Sequence, residues 1–301
     1  MKRILITGAG SYIGGCVKQR LLKEPERYQT EVLDMIPDTW RQFDFSGFDS
    51  VLHVAGIAHC KNGSADAYER VNHRLAVETA EKAKRSGVRQ LIFMSSGAVY
   101  AQSDRRHKNI MVDETTELTP STPYGVSKMR AEEDMRVLAL DGQMKLAVIR
   151  PPMVYGPGAK GNYRALSVLA GKLAVFPRVN NLRSMIYIDN LCEFIRLLID
   201  HESDGIFLPQ NREYVNPSCL VAEIAASHGR AILLTSAFNW AVAIGGCLSD
   251  TVNKVFGSFC YKKTDYFQNA YQIVDFSASI ARTEWNNTAI PGRPGGCERR
   301  E

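Results

Sequence analysis

The amino-acid sequence predicts an α/β fold in which a doubly wound parallel sheet is followed by a smaller C-terminal α+β lobe. Two observations predict the sheet. Over residues 1–150, short apolar runs alternate with segments of helical spacing, which is typical of parallel strands buried on both faces. A glycine-rich turn at residues 7–14 lies directly between the first apolar run and the first helical segment. After Pro151 the predicted elements become shorter and mixed in type, which indicates the lobe.

The strands of the first half are predicted from short runs of β-branched and other apolar residues. Only 15 residues separate Asp34, at the end of the second run, from Ser50, at the start of the third. A crossover between parallel strands needs about a dozen residues or more, so we expect a shortened connection with a very short strand near 42–43. The predicted strands are residues 3–6, 31–33, 50–54, 90–95 and 145–150.

Three helices are predicted between these strands. Apolar residues recur at helical spacing over 13–22. Residues 65–86 form a long helix that ends before Gly87, a residue type favoured just past a helix end. Pro123 suits the first turn of a helix that runs to about residue 140, whereas residues 102–121 are polar without a period and indicate a loop.

The second half divides into a lobe and a tail. We assign residues 1–150 to the sheet domain, to which parts of 151–200 return, residues 151–290 to the lobe, and the Gly- and Pro-rich residues 291–301 to a disordered tail. Residues 231–248 are apolar but too broken by glycine and polar residues for a membrane span, so a packed helix is expected there. The other predicted elements are helix 163–172, strand 184–188, helix 190–200, strand 205–208 and helix 217–228.

Composition and charge exclude several classes of protein. Of the 301 residues, 45% are apolar and 23% are charged, which excludes a mostly disordered or collagen-like chain. The net charge of +5 comes without a dense run of Lys and Arg, so no nucleic-acid partner is expected. Seven cysteines without a C-x-x-C pair argue against disulfides or zinc and for reduced thiols in the cytoplasm. The first apolar run is too short for a signal peptide.

The turn TGAGSYIG, residues 7–14, has the pattern of a dinucleotide-binding loop in a sheet of the Rossmann type. Gly8 permits the tight turn, while Gly10 and Gly14 allow close approach to a pyrophosphate and close packing of helix on strand. The helix N-terminus offers N–H donors to that anion. Asp34 lies 20 residues after Gly14, where it can accept hydrogen bonds from an adenosine ribose. Its carboxylate would repel a 2′-phosphate, so NAD is expected rather than NADP.

A second group of residues indicates acid–base chemistry. Tyr124 and Lys128 are four residues apart on a predicted helix, which places both on one face. An ammonium beside a phenol lowers the pKa of the phenol, so that tyrosine can exchange a proton with a sugar hydroxyl at neutral pH. Ser95 and Ser96 end a buried strand, where α/β sheets place groups that face a ligand.

Together these residues resemble the extended short-chain dehydrogenase/reductases of the NAD-dependent epimerase/dehydratase family. The likeness is strongest to the UDP-galactose 4-epimerase branch and to the UDP-sugar 4-ketoreductases of polysaccharide synthesis. It covers residues 2–200 well and the remainder loosely. The matching motifs are TGAGSYIG (7–14), VLHVAG (51–56), Val71-Asn72, SSGAVY (95–100), YGVSK (124–128), RPPMVYGPG (150–158) and RSMIYIDNL (183–191).

The resemblance implies a role for each matching residue. Tyr124 would be the catalytic acid/base, Lys128 would lower its pKa and bind the nicotinamide ribose, and Ser96 would polarise the sugar C4 oxygen. Asn162 and Arg183 would bind the substrate diphosphate in the lobe, a suitable task for a guanidinium. Residues expected to bind or support NAD are Gly8, Gly10, Ser11, Tyr12, Ile13, Gly14, Asp34, Ala55, Gly56, Asn72, Ser95, Lys128 and Pro151.

The sequence departs from the family pattern at three places. Ser11 stands where a glycine is usual, which alters the approach to the pyrophosphate. Residues 151–153, Pro-Pro-Met, replace a Tyr-Phe-Asn whose Asn many epimerases use near the substrate. Gly97 and Ala98 stand where 4,6-dehydratases carry Asp-Glu. Neither residue can protonate a leaving hydroxyl, so a 4,6-dehydratase is not expected.

Three functions are compatible with these residues. The leading one is an NAD-dependent 4-epimerase that acts on a UDP-hexose through a transient 4-keto intermediate. The alternative is an NAD(P)H-dependent UDP-4-keto-sugar reductase in polysaccharide precursor synthesis, and a remote one is a non-catalytic NAD-binding scaffold. The family resemblance implies a homodimer through helices near 65–86 and 122–141. No membrane partner is expected. No metal is expected either, because His53 and His59 lack a third ligand nearby.

Overall fold

A six-stranded parallel sheet lies at the centre of the protein in the computed structural model of the chain. The structure describes residues 1–36, 38–58, 64–100, 109–159, 161–237, 239–240 and 258–288. The strands along the chain are β1 (Lys2–Thr7), β2 (Tyr28–Leu33), β3 (Ser50–His53), β4 (Gln90–Met94), β5 (Asn109–Val112), β6 (Lys145–Ile149), β7 (Met153–Tyr155), β8 (Val175–Pro177), β9 (Met185–Tyr187), β10 (Gly205–Phe207), β11 (Leu233–Thr235) and β12 (Ser258–Tyr261).

The order of the strands creates a crevice. The central sheet runs β10-β6-β4-β3-β1-β2, and every neighbouring pair is parallel. The chain leaves β1 for β2 on one side and returns to β3 on the other side of β1. The loops after β1 and β3 therefore diverge and open a crevice beyond the carboxyl ends of these strands. The predicted doubly wound parallel sheet is confirmed.

Helices cover both faces of this sheet. Ile4 and Ile6 of β1 pack with residues of the first and sixth helices, whereas Leu5 between them packs on the opposite side, as the alternation of a strand requires. None of the helices in the described ranges has the length and apolar character that a membrane crossing requires. The helices are α1 (Tyr12–Leu21), α2 (Ala65–Tyr68), α3 (Leu75–Arg85), α4 (Pro123–Ala139), α5 (Asn162–Lys172), α6 (Ile188–His201), α7 (Pro217–Ser227) and α8 (Phe276–Thr288).

The connection between β2 and β3 is short, as expected, but its content differs from the prediction. The expected strand near 42–43 is wrong, because a 3₁₀ helix, Asp38–Gln42, occupies this stretch. Trp40 in that helix is only 2% exposed and packs in the core on one face of the sheet, so burial of one large ring fixes a helical turn. No further strand forms in the described part of this connection, and β2 is the edge of the sheet.

Three pairs of short parallel strands build the remaining structure: β7 with β9, β8 with β11, and β5 with β12. The predicted loop over 102–121 is wrong in part, since residues 109–112 pair with β12, far along the chain; residues 101–108 lie outside the description. The helix expected within 231–248 is wrong at Leu233–Thr235, which pairs with β8. Residues 238 and 241–248 of that stretch, and the tail 291–301, are not described.

The helical segment predicted over 65–86 contains an irregularity. Between α2 and α3, residues Glu69–Arg74 form a π-helix, so the segment is helical throughout but not uniformly α-helical. A π-turn widens the helix by one residue and often occurs near functional sites. Here it carries Asn72, which is fully buried.

The N-terminal strand is tied to the end of α6. Lys2 Nζ donates to the Ile199 carbonyl at 2.6 Å and the Asp200 carbonyl at 3.2 Å, and it lies 3.2 Å from Glu202 Oε1. These carbonyls belong to the last turn of α6, where a cation is favoured by the helix dipole. Residue 2 therefore holds an element that is almost 200 residues away in the sequence.

Candidate active site

Glycines shape the crevice after β1 and β3. Gly8 has φ +99°, and a Cβ there would lie 2.8 Å from the Ala55 Cα, so only glycine lets the two loops cross. A Cβ on Gly14 would lie 2.9 Å from Val54 Cγ2, so this glycine lets α1 pack closely on the sheet. At Gly10, no described atom lies within 4 Å of the position of a Cβ. Gly10 therefore borders open space at the N-terminus of α1.

Ser11, which replaces the usual glycine, caps α1. Its Oγ accepts a hydrogen bond from Gly14 N at 3.2 Å, a standard use of serine at this position. Ile13 packs against the core, and burial raises the pKa of Tyr12. The Tyr12 hydroxyl lies beneath Gly156, where an added Cβ would stand 3.0 Å from it.

Asp34 lies at the exposed end of β2. Gly8 N donates to the carbonyl of the preceding residue, Leu33, at 2.8 Å, which brings Asp34 beside the glycine turn. Asp34 Oδ1 accepts from Ile36 N at 3.0 Å, and this turn holds the carboxylate. A narrow cradle, an open glycine, a helix N-terminus and an acidic residue at the next strand end fit a dinucleotide.

Asn72 fixes the loop after β3. Its Oδ1 accepts from Ile57 N at 2.8 Å, and its Nδ2 donates to the Ile57 carbonyl at 2.9 Å. Nδ2 also lies 3.3 Å from Ser127 Oγ of α4. A Cβ on Gly56 would lie 3.0 Å from Asn72 Oδ1 and 3.5 Å from Lys128 Nζ. The backbone at Gly56 is therefore held within reach of the lysine ammonium.

Ser96 and Tyr124 are brought together at the end of β4. The Ser96 hydroxyl lies close enough to the phenol to influence its pKa, and the ring of Tyr68 packs edge-on against Tyr124 at 6.0 Å between centroids. Burial raises the pKa of Tyr124 above its ordinary value, and the hydrogen bond from Ser96 opposes this shift. Ser96 also caps a 3₁₀ turn, Gly97–Val99, by accepting from Ala98 N at 3.1 Å.

Lys128 is buried one turn along α4 from Tyr124. Its ammonium donates to the Met94 carbonyl at 2.8 Å and lies 4.6 Å from the centre of the Phe93 ring. Burial lowers the pKa of Lys128 to about 8, and Glu132 opposes this shift. The ammonium therefore lies between the end of β4 and Gly56 in the loop after β3.

The Ser95 hydroxyl is directed away from the crevice. It donates to Glu132 Oε1 at 2.5 Å, and Arg150 binds both oxygens of the same carboxylate. Arg150 also donates to the Tyr100 hydroxyl at 2.6 Å. Glu132 and Arg150 are 0% and 1% exposed, so this is a buried ion pair beneath the site. Ser95 can reach a cofactor only through its backbone.

Pro151 and Tyr261 pack against the 3₁₀ turn Gly97–Val99. The Pro151 carbonyl accepts from Gly97 N at 2.9 Å, and a Cβ on Gly97 would lie 2.4 Å from the Tyr261 hydroxyl. The turn is therefore packed too closely for any side chain at position 97. Tyr261 donates to the Arg150 carbonyl at 2.9 Å, which links β12 to the end of β6.

The two residues expected at the diphosphate lie in the lobe. Arg183 is 6% exposed, is paired through its backbone with Val215, and bridges to Phe259 of β12. Burial lowers the pKa of Arg183 to about 10, which leaves it charged at neutral pH. Asn162 is exposed as the first residue of α5.

His53 is a packed residue of β3. Its Nδ1 lies 2.9 Å from Thr7 Oγ1, its ring stacks on Phe93, and burial lowers its pKa to about 3. Within the described ranges, no group of three or more His, Cys, Asp or Glu residues could hold a metal ion. His59 lies outside these ranges.

Two residues near the site were not predicted. Glu132 follows Lys128 by four residues on α4, so the spacing that pairs Tyr124 with Lys128 also places Glu132 on the same face. That continuation is a signal available in the sequence. Tyr68, which packs on Tyr124, carries no comparable signal because its position depends on how α2 meets α4.

Comparison with known proteins finds sugar 4-epimerases and related enzymes. A family model described as "NAD dependent epimerase/dehydratase family" matches residues 4–208. The UDP-glucose 4-epimerase of Vibrio cholerae is 28% identical over 284 residues, which is 85% of this chain and 86% of that protein. The N-acetyl-alpha-D-glucosaminyl-diphospho-ditrans,octacis-undecaprenol 4-epimerase of Escherichia coli O157:H7 is 28% identical over 218 residues, 70% of this chain and 64% of that protein.

A solved structure has a similar fold. The UDP-glucuronic acid 4-epimerase from Bacillus cereus, in complex with NAD, superposes with a TM-score of 0.70 at 17% sequence identity. The match covers 94% of this chain and 98% of that chain. At this identity the likeness concerns the fold alone.

Proposed function

The chain belongs to the NAD-dependent epimerase/dehydratase family, and from this membership we propose that it is a UDP-hexose 4-epimerase that works through a transient 4-keto sugar. It is an enzyme of the epimerase or reductase type. The observation that carries the proposal is the proximity of the Ser96 and Tyr124 side chains at the end of β4. β4 is paired with β3. The loop that follows β3 carries Gly56, which lies within reach of the Lys128 ammonium.

The residues fit NAD in a definite orientation. Gly8, Gly10 and Gly14 with the N-terminus of α1 would hold the pyrophosphate, and Asp34 would hold the adenosine ribose. Lys128, near Gly56, would donate to the nicotinamide ribose. When bound, NAD supplies a hydride acceptor for the sugar C4 carbon.

The chain's own side chains would move the proton. Tyr124 takes the proton of the sugar O4, and Ser96 donates a hydrogen bond to the same oxygen as the carbonyl forms. The Ser96 hydrogen bond favours the phenolate and opposes the burial of Tyr124. For epimerisation the 4-keto sugar must then turn over, so that hydride would return to the opposite face of C4 while Tyr124 returns the proton to O4. Asn162 and Arg183 would bind the diphosphate and leave the hexose free to rotate.

Proton NMR of the purified protein with UDP-glucose, and separately with UDP-N-acetylglucosamine, tests this proposal without added cofactor. The galacto epimer is expected, because the enzyme would carry and regenerate its own NAD. Unchanged sugars would contradict the epimerase proposal.

One observation favours a second function, reduction of a UDP-4-keto sugar in polysaccharide precursor synthesis. Met153 is the first residue of β7. At the matching position many epimerases have an asparagine that lies near the substrate. The same Ser96 and Tyr124 would then protonate O4 in one direction, with NADH or NADPH consumed. Turnover of a 4-keto sugar with added NADH, together with unchanged UDP-glucose, would establish the reductase.

The assembly and the location belong to the same proposal. We expect a homodimer through α2, α3 and α4, where Val137 and Leu140 are 67% and 81% exposed. Light scattering at micromolar concentration tests it, and a monomer would contradict it. The cytoplasm is the expected location, because UDP-sugars and reduced cysteines are both found there.

A further inference from the structure

One face of the lobe is both apolar and basic. Its apolar members are Leu169 and Leu173 at the end of α5, Val175 of β8, Leu233 of β11, and Trp240. Their exposed fractions run from 36% for Leu173 to 65% for Leu233 and 67% for Trp240. We call these five residues, with the cations described below, the apolar–basic face. A continuous exposed apolar patch of this kind marks an interaction surface more often than chance exposure does.

Backbone geometry makes these residues neighbours. Leu233 is in register with Val175 in the parallel pair, so both side chains leave the same face of the two strands. Leu173 ends α5 with extended backbone, and its N–H donates to the Leu169 carbonyl at 2.9 Å. Leu173 is therefore two residues before Val175 in the chain, at the point where α5 leads into β8.

Trp240 is anchored at the other end of the same strands. Arg178, just past β8, donates through its N–H to the Thr235 carbonyl of β11 at 2.8 Å. Asn239 Nδ2 in turn donates to the Arg178 carbonyl at 2.8 Å. The residue that follows, Trp240, thus lies beside Arg178.

The chain segments that carry these residues contain basic but no acidic side chains. The sequence contains no Asp or Glu over residues 142–188 or 224–240, which include α5, β8 and β11. Lys172, Arg178 and Arg230 are exposed next to the apolar members. Within the described part of the chain, none of these three cations forms an ion pair. The described residues of this face therefore combine Lys and Arg side chains that lack an ion-pair partner among them with exposed Leu, Val and Trp.

This combination selects among possible partners. A second copy of the chain would bring like charges together across a two-fold axis, which opposes a symmetric dimer here. Nucleic acid would match the charge but not the aliphatic residues. Basic side chains beside Trp and Leu are typical of segments that lie at the surface of an anionic membrane.

We propose that the apolar–basic face binds the surface of a membrane that contains anionic lipids. Trp240 and Leu233 would enter the interfacial layer, and the cations would contact lipid phosphates. The protein would lie on the membrane without crossing it. This inference revises the expectation of no membrane partner, and it does not depend on the proposed reaction.

Cosedimentation of the full-length protein with lipid vesicles tests the inference. One set of vesicles contains phosphatidylcholine alone, and the other contains phosphatidylcholine mixed with phosphatidylglycerol. The protein is expected to sediment with the anionic vesicles and to be released by added salt, since screening weakens surface electrostatics. Protein that stays in the supernatant with both sets would overturn the proposal.

Matched variants identify the surface that binds. Lys172→Gln and Arg230→Gln should each lower the partition coefficient by about fivefold, and Leu233→Ser with Trp240→Ser should remove most of the binding. The controls are Ile36→Ser, at the opposite end of the sheet and 90% exposed, and Arg85→Gln on α3. Both should bind vesicles like the parent protein.

Two outcomes would contradict the assignment of this surface. Equal losses in the controls would show that vesicle binding is not specific to the apolar–basic face. A change of mass in light scattering on Leu233→Ser, with vesicle binding intact, would identify a second copy of the chain as the partner. Circular dichroism of each variant verifies that it is folded.

Discussion

The hydroxyl of Tyr124 takes its acid–base properties from two opposing influences. Burial raises its pKa, and the Ser96 hydrogen bond lowers it. The ammonium of Lys128, one turn along α4, is engaged with the Met94 carbonyl instead. The proposed proton transfer therefore depends on Tyr124 and Ser96, and we expect Lys128 to hold the nicotinamide ribose.

Tyr124→Phe should remove turnover and keep the cofactor site. The phenyl ring preserves the contact with Tyr68 but has no proton to exchange, and general acid–base catalysis contributes about 10²- to 10⁴-fold. The rate of epimer formation by NMR should fall by that factor, while NAD binding by calorimetry stays close to that of the parent. Equal activity in the variant would exclude Tyr124 as the acid/base.

The binding of NAD should weaken as the pH rises through about 8. Burial lowers the pKa of Lys128 to about 8, so its ammonium is present below that pH and is lost above it. Calorimetric titrations of NAD into the cofactor-free protein from pH 6.5 to 9.5 would measure the effect. Lys128→Met should bind weakly with a flatter profile. An unchanged pH profile in that variant would assign the dependence to another group.

The residue types at the site could be predicted, but not all of their contacts. Spacing along a helix places Tyr124 and Lys128 on one face because the backbone is regular. Tertiary packing determines which group a lysine ammonium contacts, and the Lys128 ammonium contacts the Met94 carbonyl at the end of β4. The hydroxyl of Ser95 likewise donates to Glu132. The four-residue spacing that pairs Tyr124 with Lys128 also places Glu132 on the same helix face, so the sequence contained a signal for this carboxylate.

At the scale of elements, the distance between α4 and the turn after β4 sets the site. A Cβ on Gly125 would lie 2.2 Å from the Ala98 carbonyl, so only glycine lets the first turn of the helix touch the Gly97–Val99 turn. Thr122 caps α4 by accepting from Gly125 N at 3.1 Å. This contact brings Tyr124 to Ser96.

Gly125→Ala should therefore reduce turnover by about 10²-fold, because the added methyl group separates the two elements and a displacement near 1 Å has that effect on rate. The matched control is Gly171→Ala in α5, where no described atom lies within 4 Å of the new Cβ. The control should keep full activity and gain about 0.5–1 kcal/mol of stability. Equal activity in both variants, by the NMR assay, would refute this account of the contact.

Elements with long, regular patterns were predicted well from the sequence, and short paired ones were not. α4 and α5 are readable because their periodicity extends over several turns. Strands β5 and β12 have four residues each and exist only through their mutual pairing, far apart in the chain. The π-helix at Glu69–Arg74 also escapes prediction, since the burial of Asn72 depends on the loop it binds.

At the scale of the whole molecule, the Glu132–Arg150 ion pair joins α4 to the end of β6, and the backbone of Arg150 extends this link to β12. Glu132 belongs to α4, and Arg150 follows β6. Arg150 contacts the hydroxyl of Tyr100, and its carbonyl accepts from Tyr261 of β12. One buried pair thus connects both parts of the chain.

Arg150→Met should lower the free energy of unfolding by about 3–5 kcal/mol, because it leaves Glu132 charged and buried without its main partner. The double variant Arg150→Met with Glu132→Leu should recover much of that loss, since replacing both charges by apolar groups avoids the penalty. Urea denaturation of the parent and both variants measures it. A double variant as unstable as the single one would contradict this reading.

The bond between Lys2 and the end of α6 also constrains the order of events during synthesis. The first strand leaves the ribosome early, but the carbonyls that it binds and the last strand of the sheet, β10, are made almost 200 residues later. At the usual rate of translation this interval is roughly 10 to 40 s. During that time the sheet lacks its far edge and one covering helix, so the apolar surface that these two elements later bury stays exposed on the nascent chain.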